Sequence, residues 1–241
     1  MTPPKVFHLR NLTKSWKAQD GEFQLSVPQL DVHAGDQIAV LGQSGCGKST
    51  LLDILAMTLE PSSCDSFHFE PVGTANTDIS KAWKDRDMDQ LAGLRGRHIG
   101  YVLQTGGLLP FISVRENIEL PRRLCELADD DRVEDLGQRL RISDQFDKLP
   151  AELSVGQRQR VAVARALAHE PTVVLADEPT ASLDPHTAGE VMGLFVELAA
   201  QQGTTLLIAS HDWERMADLG LSRLEHRQVE EQGLLRSEFH T

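Results

Sequence analysis

Gly42-Gln-Ser-Gly-Cys-Gly-Lys-Ser-Thr50 constrains this chain more than any other stretch. Just before it, Gln37-Ile-Ala-Val-Leu41 is apolar enough for a buried strand. Just after it, Leu51-Leu-Asp-Ile-Leu55 carries a helical pattern. Glycines in a strand-to-helix turn let the backbone wrap an anion with no side chain in the way. The amides of the loop and of the helix start then face that anion. The spacing G-x-x-x-x-G-K-[ST] is met at every fixed position, so the stretch is expected to hold nucleotide phosphates. Lys48 is placed to reach the outer phosphates and the Ser49 hydroxyl to ligate Mg²⁺, while Gly42, Ser44, Gly45, Cys46, Gly47 and Thr50 complete the expected binding loop. A glycine turn without a ligand is the competing reading, and the strand–loop–helix context stands against it.

A second run, Thr172-Val-Val-Leu-Ala-Asp177-Glu178, reads as a short buried strand with two carboxylates at its C-terminal end. Ligands of parallel sheets gather at that edge. Asp177 suits support of Mg²⁺, directly or through water. Glu178 suits orientation or deprotonation of an attacking water. Carboxylates also follow strands merely because the chain has reached the surface; the Gly42–Thr50 loop upstream favours phosphate chemistry.

Leu153-Ser-Val-Gly-Gln157 runs on into Arg158-Gln-Arg-Val-Ala-Val-Ala-Arg-Ala-Leu167. This resembles the LSGGQ signature and signature helix of ATP-binding cassette (ABC) ATPases. Gln104 ends the apolar run Ile99-Gly-Tyr-Val-Leu103, as the family's Q-loop glutamine does. Ser182-Leu-Asp184 resembles the D-loop. His211, after Thr205-Leu-Leu-Ile-Ala209, resembles the switch histidine, and Glu178 matches the catalytic glutamate. Trp16 stands where the family places an adenine-stacking aromatic, usually a tyrosine. The resemblance covers about residues 5 to 215.

The resemblance implies an α/β fold: a P-loop NTPase cassette with a mostly parallel core sheet, an N-terminal antiparallel sheet and a helical signature subdomain. It implies ATP hydrolysis with Mg²⁺, with Glu178, His211 and Gln104 catalytic and Ser49, Gln104 and Asp177 at the metal. It also implies a head-to-tail homodimer in which Ser154, Gly156 and Gln157 of one copy close on ATP held by the other. A helix start suits that γ-phosphate. Asp184 would couple the two sites, and hydrolysis would loosen the pair, so nucleotide drives a population shift. Val155 departs from the pattern by replacing the first signature glycine; activity is expected to survive with a modest effect on closure. Ser62-Ser-Cys-Asp-Ser66 replaces the usual glycine turn, and Gly73 to Lys84 is expected to be a longer polar loop. Trp16 either stacks on adenine or packs on the N-terminal sheet, whereas Tyr101 is expected in the core.

A chain of 241 residues fits a single cassette spanning 1–241, with a core at about 1–95 and 170–225, a helical subdomain at about 105–168 and a weakly matched tail at 226–241. Periodicity puts strands at 6–12, 23–27, 37–41, 99–103, 173–176 and 205–209, and helices at 114–127, 132–140 and 154–168. Asp129-Asp-Asp131 reads as an exposed helix start with no chemistry, and the charged tail after Trp213 as a solvated segment. A net charge of −12 disfavours a nucleic-acid partner. The three cysteines, Cys46, Cys64 and Cys125, fit neither a disulfide framework nor a zinc site.

No run approaches the roughly 18–20 apolar residues that span a bilayer, and the N-terminus lacks an apolar signal core. The expected location is therefore cytoplasmic, peripheral on the inner membrane through a separate permease. Apolar Leu108-Leu-Pro-Phe111, beside the loop after Gln104, is the expected contact. Val114-Arg-Glu-Asn-Ile-Glu-Leu-Pro121 resembles the branch containing lipoprotein-releasing (Lol-type) and macrolide-exporting (Mac-type) ATPases, which share Asn117 and Pro121. That implies a permease with few spans and a large extracytoplasmic domain, driven by mechanotransmission. The alternative is a soluble ABC ATPase of translation, repair or cluster assembly; such proteins usually carry a second cassette, zinc-type cysteines or coiled-coil inserts, none of which is seen. A regulatory cassette with a dead site is opposed by Lys48, Asp177, Glu178 and His211.

Overall fold

The computed structural model describes residues 3–18, 21–128, 130–231 and 234–240. Along the chain run strands β1 (Lys5–Ala18), β2 (Gly21–His33) and β3 (Gln37–Leu41), helix α1 (Lys48–Leu55), strands β4 (Ser66–Phe69) and β5 (Thr77–Asp78), and helices α2 (Ile79–Lys84) and α3 (Met88–His98). Then come β6 (Ile99–Val102), α4 (Val114–Leu124), α5 (Arg132–Arg139), α6 (Val155–Leu167), β7 (Val173–Asp177), α7 (Pro185–Gln201), β8 (Thr205–Ser210), α8 (Trp213–Asp218), β9 (Ser222–Glu231) and β10 (Leu234–His240). They divide into two compact units, one of residues 1–95 with 209–241 and the other of residues 96–208.

In the first unit the strand order is β5-β4-β1-β2-β10-β9-β3. β1 and β2 pair antiparallel along most of their length, while β10 lies parallel to β2 and β3 parallel to β9. Burial alternates as a one-sided sheet demands, with Phe7 and Leu9 inward on β1 and Leu25 and Val27 inward on β2. The parity then changes on both strands, to Leu12 on β1 and to Leu30 and Val32 on β2, beside Asn11 (φ 48°) and Pro28. Phe67 and Phe69 of β4 pack on Phe7, the Phe7–Phe69 rings stacked 4.8 Å apart.

Two expectations are corrected here. Residues 73–84 are not all loop: Ile79–Lys84 forms α2, its first turn capped by the Asp78 carboxylate accepting the Lys81 N–H at 3.0 Å. The segment after Trp213 is not a solvated tail. β9 and β10 pair with each other and join the sheet, and Ser237 and Phe239 are fully buried. Exposed Arg223, Glu225 and Arg227 on β9 made the stretch look unstructured.

In the second unit β6 and β7 run parallel, next to β8 in the order β8-β7-β6. α4, α5 and α6 form the helical part, and α7 packs on α6. The expected strands and helices recur, but β1 and β2 run six residues past their predicted ends at 12 and 27, to Ala18 and His33. Asp129 lies outside the described residues; Asp130 pairs with Arg122 at 2.7 Å and accepts the Arg132 N–H, a structural role.

Candidate functional site

The Gly42–Thr50 loop leaves β3 and enters α1 at Lys48. Gly45 (φ 80°) and Gly47 (φ 96°) lie in the left-handed region that favours glycine. A Cβ on Gly47 would also sit 3.1 Å from Leu25 and 3.4 Å from Phe23, so the loop rests directly on β2. Lys48 is 5% exposed, and its ammonium donates to the carbonyls of Gly42 (2.8 Å) and Gln43 (3.1 Å). Gly47 is the N-cap of α1 and brings no side-chain cap. The helix start therefore leaves its orphan N–H groups to other partners, as an anion site requires. Ser44, Gly45 and Ser49 are exposed, Thr50 is half-buried and Cys46 is buried.

Trp16 lies on β1, not on a loop, opposite Phe23 of β2 with ring centroids 5.7 Å apart. Phe23 in turn touches Gly47, so the half-buried indole stands one residue removed from the phosphate loop, with the Lys14 ammonium 5.8 Å over its ring. His211 follows β8 and is exposed; with Gly42 and Gln43 it lines a pocket of about 480 Å³. Sequence reasoning missed the other wall of that pocket, which includes His226 of β9.

In the second unit Asp177 ends β7, and Glu178 follows with φ 47°, a conformation that costs a non-glycine residue roughly 1–2 kcal/mol. Gln104 sits at the tip of a turn closed by the Gly106 N–H on the Leu103 carbonyl at 2.8 Å. Arg165 of α6, which the sequence did not single out, donates to the carbonyls of Gly106 (2.9 Å) and Gly107 (2.8 Å) and so fixes that turn to the signature helix. Gln104 and Asp177 of this unit, and Ser49 of the first, are each oxygen donors of the kind a hard cation such as Mg²⁺ takes.

Ser154 is the N-cap of α6 in a closed capping box. Its hydroxyl accepts the Gln157 N–H at 3.2 Å, and the Gln157 side-chain carbonyl accepts the Ser154 N–H at 2.8 Å. Gln157 thus serves the helix start. Gly156 faces α7, where a Cβ would lie 3.1 Å from Thr187. Asp184 is the exposed N-cap of α7; its bonds to Thr187 hold its carboxyl below the usual range. Val155, at 44% exposure, points to solvent.

Asn117 is fully buried and clamps the segment before α4. Its amide oxygen accepts the Leu109 N–H at 2.8 Å, and its NH₂ donates to the carbonyls of Leu109, Ile112 and Ser113. The clamp leaves Phe111 74% exposed. Nearby Leu109, Leu120, Pro121 and Leu124 line a groove of about 250 Å³, with Leu124 itself 75% exposed.

A glycine loop of this build, carrying a buried lysine at an uncapped helix start, defines a P-loop nucleotide-binding protein. Residues 25–181 match the ABC transporter family, and the chain belongs to that family. It is 38% identical over 216 residues to the macrolide export ATP-binding/permease protein MacB of Shigella flexneri, covering 88% of this chain but 31% of that protein. It is 36% identical over 213 residues to the ABC transporter ATP-binding protein YknY of Bacillus subtilis, covering 87% of this chain and 88% of that one. Its fold is similar to a dimeric ATP-binding cassette, MJ0796, in a post-hydrolysis state bound to ADP and Pi: TM-score 0.76, 30% identity, 97% of this chain and 98% of that one. The chain is an ABC ATPase, and these relatives support the Mac-type branch. Among the described residues no helix is long and apolar enough to cross a membrane.

Proposed function

We propose that this chain is the ATP-hydrolysing subunit of an inner-membrane ABC complex, and that it drives a separate permease of the mechanotransmission type from the cytoplasmic face. The apolar groove lined by Leu109, Leu120, Pro121 and Leu124 carries this reading, with Phe111 and Leu124 both largely exposed on the segment that the buried Asn117 clamps and the helix it starts: an apolar surface of this kind suits a partner. MacB, to which the chain is similar over 31% of that protein's length, joins an ATP-binding part and a permease in its name.

Two copies would close head to tail on two ATP molecules. Lys48 and the Gly42–Thr50 amides bind the phosphates, and Trp16 stacks on adenine. Ser49 and Asp177, with Gln104, would hold Mg²⁺, which neutralises phosphate charge. Glu178 takes a proton from water as the oxygen attacks the γ-phosphorus; the bond to the β–γ bridging oxygen breaks, giving ADP and phosphate. His211 holds the γ-phosphate and the attacking water. Ser154, Gly156 and Gln157 of the second copy grip the γ-phosphate, and Asp184 couples the two sites. Loss of that shared phosphate opens the pair and moves the permease.

The test is recovery of the complex. Tagged Glu178→Gln protein keeps the side chain's shape and lacks the base, so it is expected to stay ATP-bound. Extracted from native membranes in mild detergent with ATP, it should bring down a permease with few spans and a large extracytoplasmic domain, identified by mass spectrometry. Adding Phe111→Asp should abolish that recovery while ATP binding persists. Recovery of ribosomal, repair or cluster-assembly proteins without a permease overturns the proposal in favour of a soluble ABC ATPase.

A further inference from the structure

The loop's support comes from the far end of the sequence. β9 and β10 pair antiparallel with Phe239 opposite His226 and Ser237 opposite Gln228, which makes His226 and Ser237 diagonal neighbours across the pair. The His226 Nε2 lies 2.8 Å from the Ser237 hydroxyl. That hydroxyl also bonds to the Cys46 main-chain carbonyl, inside the Gly42–Thr50 loop. A carbonyl can only accept, so the single Ser237 proton goes to Cys46. The His226–Ser237 bond therefore needs its proton from the imidazole, and Nε2 must carry it. The ring's other nitrogen, Nδ1, faces the start of the same loop, 3.4 Å from where a Cβ on Gly42 would stand. Phe239 packs against the imidazole at 4.9 Å between centroids. Ser237 is fully buried and Cys46 is 2% exposed, so water does not compete for these bonds.

The bond to Cys46 has a directional consequence. A trans peptide is planar, with its C=O and the following N–H antiparallel. Holding the Cys46 oxygen toward β10 aims the Gly47 N–H the opposite way, away from β10. Gly47 has φ 96°, a conformation with little intrinsic preference behind it, so the orientation of this plane must be imposed from outside.

We infer that His226 and Ser237 are positioning residues for nucleotide binding, acting in series to hold the Cys46–Gly47 peptide so that the Gly47 N–H faces the phosphates. The inference rests on reading Gly42–Thr50 as the nucleotide site. Burial, then the nearby Lys48 charge, keeps His226 below the usual histidine range, so at neutral pH the imidazole supplies its one N–H to Ser237 and adds no charge beside the lysine. The charged or titratable groups around it are Lys48 on α1, His211 after β8 and Arg223 on β9, the last two across the shared pocket.

The experiment titrates a fluorescent, slowly hydrolysed ATP analogue, and ADP, into wild-type protein and the variants Ser237→Ala, His226→Phe, His226→Gln and Ser237→Ala with His226→Phe. Phenylalanine keeps the ring volume against Phe239 and removes the donor; glutamine restores an N–H near the Nε2 position. Ser237→Ala and His226→Phe should each weaken both nucleotides about 5- to 10-fold, the size of one lost buried hydrogen bond. The double variant should be no weaker than Ser237→Ala, because His226 acts through Ser237. His226→Gln should recover most of the affinity. In steady state KM should rise with kcat nearly unchanged, since the loop holds the phosphates before and during reaction. Unchanged affinity in folded Ser237→Ala and His226→Phe proteins, or a double variant whose losses add, overturns the inference. Wild-type protein that binds no nucleotide overturns the underlying site reading and the inference with it, an outcome distinct from wild-type binding that the variants match.

Discussion

α1 and α6 both begin where a phosphate is expected, and they begin in opposite ways. α1 starts on Gly47, with a left-handed backbone and no side-chain cap. α6 starts on Ser154, whose hydroxyl and the Gln157 amide close a reciprocal box over the first turn. A serine cap is worth about 1 kcal/mol relative to alanine. The first helix start therefore depends on groups outside itself, and β2 and β10 supply the floor that holds its loop open. The second is complete within one chain, and its hydroxyl, which accepts the Gln157 N–H, still has its own proton to donate to a γ-phosphate. The Gly42–Thr50 loop takes its shape from distant strands, whereas the signature start holds its shape through its own residues and keeps a hydroxyl proton for a partner.

The contrast breaks most readily at Lys48. Its ammonium is buried and spans the loop from Gly42 to α1. Lys48→Ala removes a positive charge from the phosphates and leaves the Gly42 and Gln43 carbonyls without that donor. Affinity for the ATP analogue should fall on the order of 100-fold in a fluorescence titration. Unchanged affinity would falsify the assignment of the loop. A smaller effect is expected at Gly47→Ala: the positive φ costs roughly 1–2 kcal/mol in a residue with a Cβ, and that Cβ presses on Leu25 at 3.1 Å. Thermal unfolding should shift down and nucleotide affinity should drop with it. A stable variant with full affinity would mean that the loop is not preorganised and reshapes around the nucleotide.

Most of the fold was legible because local pattern and tertiary role agreed. The apolar runs at 37–41, 173–176 and 205–209 are strands buried on both sides, and a continuous apolar run signals that directly. The failures came where charge concealed burial. β9 carries exposed Arg223, Glu225 and Arg227 around a buried Leu224, and β10 buries Ser237 and Phe239, so the mean character looked like solvent although both strands join the sheet. Ile79–Lys84 was missed because six residues give too short a window for helical periodicity, although Asp78 three residues before the Lys81 N–H is a cap signal. The loop, the carboxylates and the signature stood out as motifs because their spacing is local. Ser237 and Arg165 did not, since both act on backbone carbonyls distant in sequence, which leave no trace in residue identity, and His226 acts only through Ser237.

The finest test of the contrast separates the two roles of Ser154. Ser154→Ala removes cap and phosphate ligand together and should cost about 1 kcal/mol of stability, but it cannot say which loss matters. Ser154→Asp can. Aspartate is as good an N-cap as serine, so the Gln157 N–H keeps an acceptor and thermal unfolding should stay within about 0.5 kcal/mol of wild type. The same carboxylate would face the γ-phosphate of the second copy, and like charges in that contact repel. In a Glu178→Gln background with ATP, light scattering should find Ser154→Asp monomeric where the parent is dimeric, while each monomer still binds nucleotide at its own Gly42–Thr50 loop. A dimer that survives the aspartate would mean that the Ser154 hydroxyl does not meet the γ-phosphate, and that the amides of the α6 start receive it without help from that side chain.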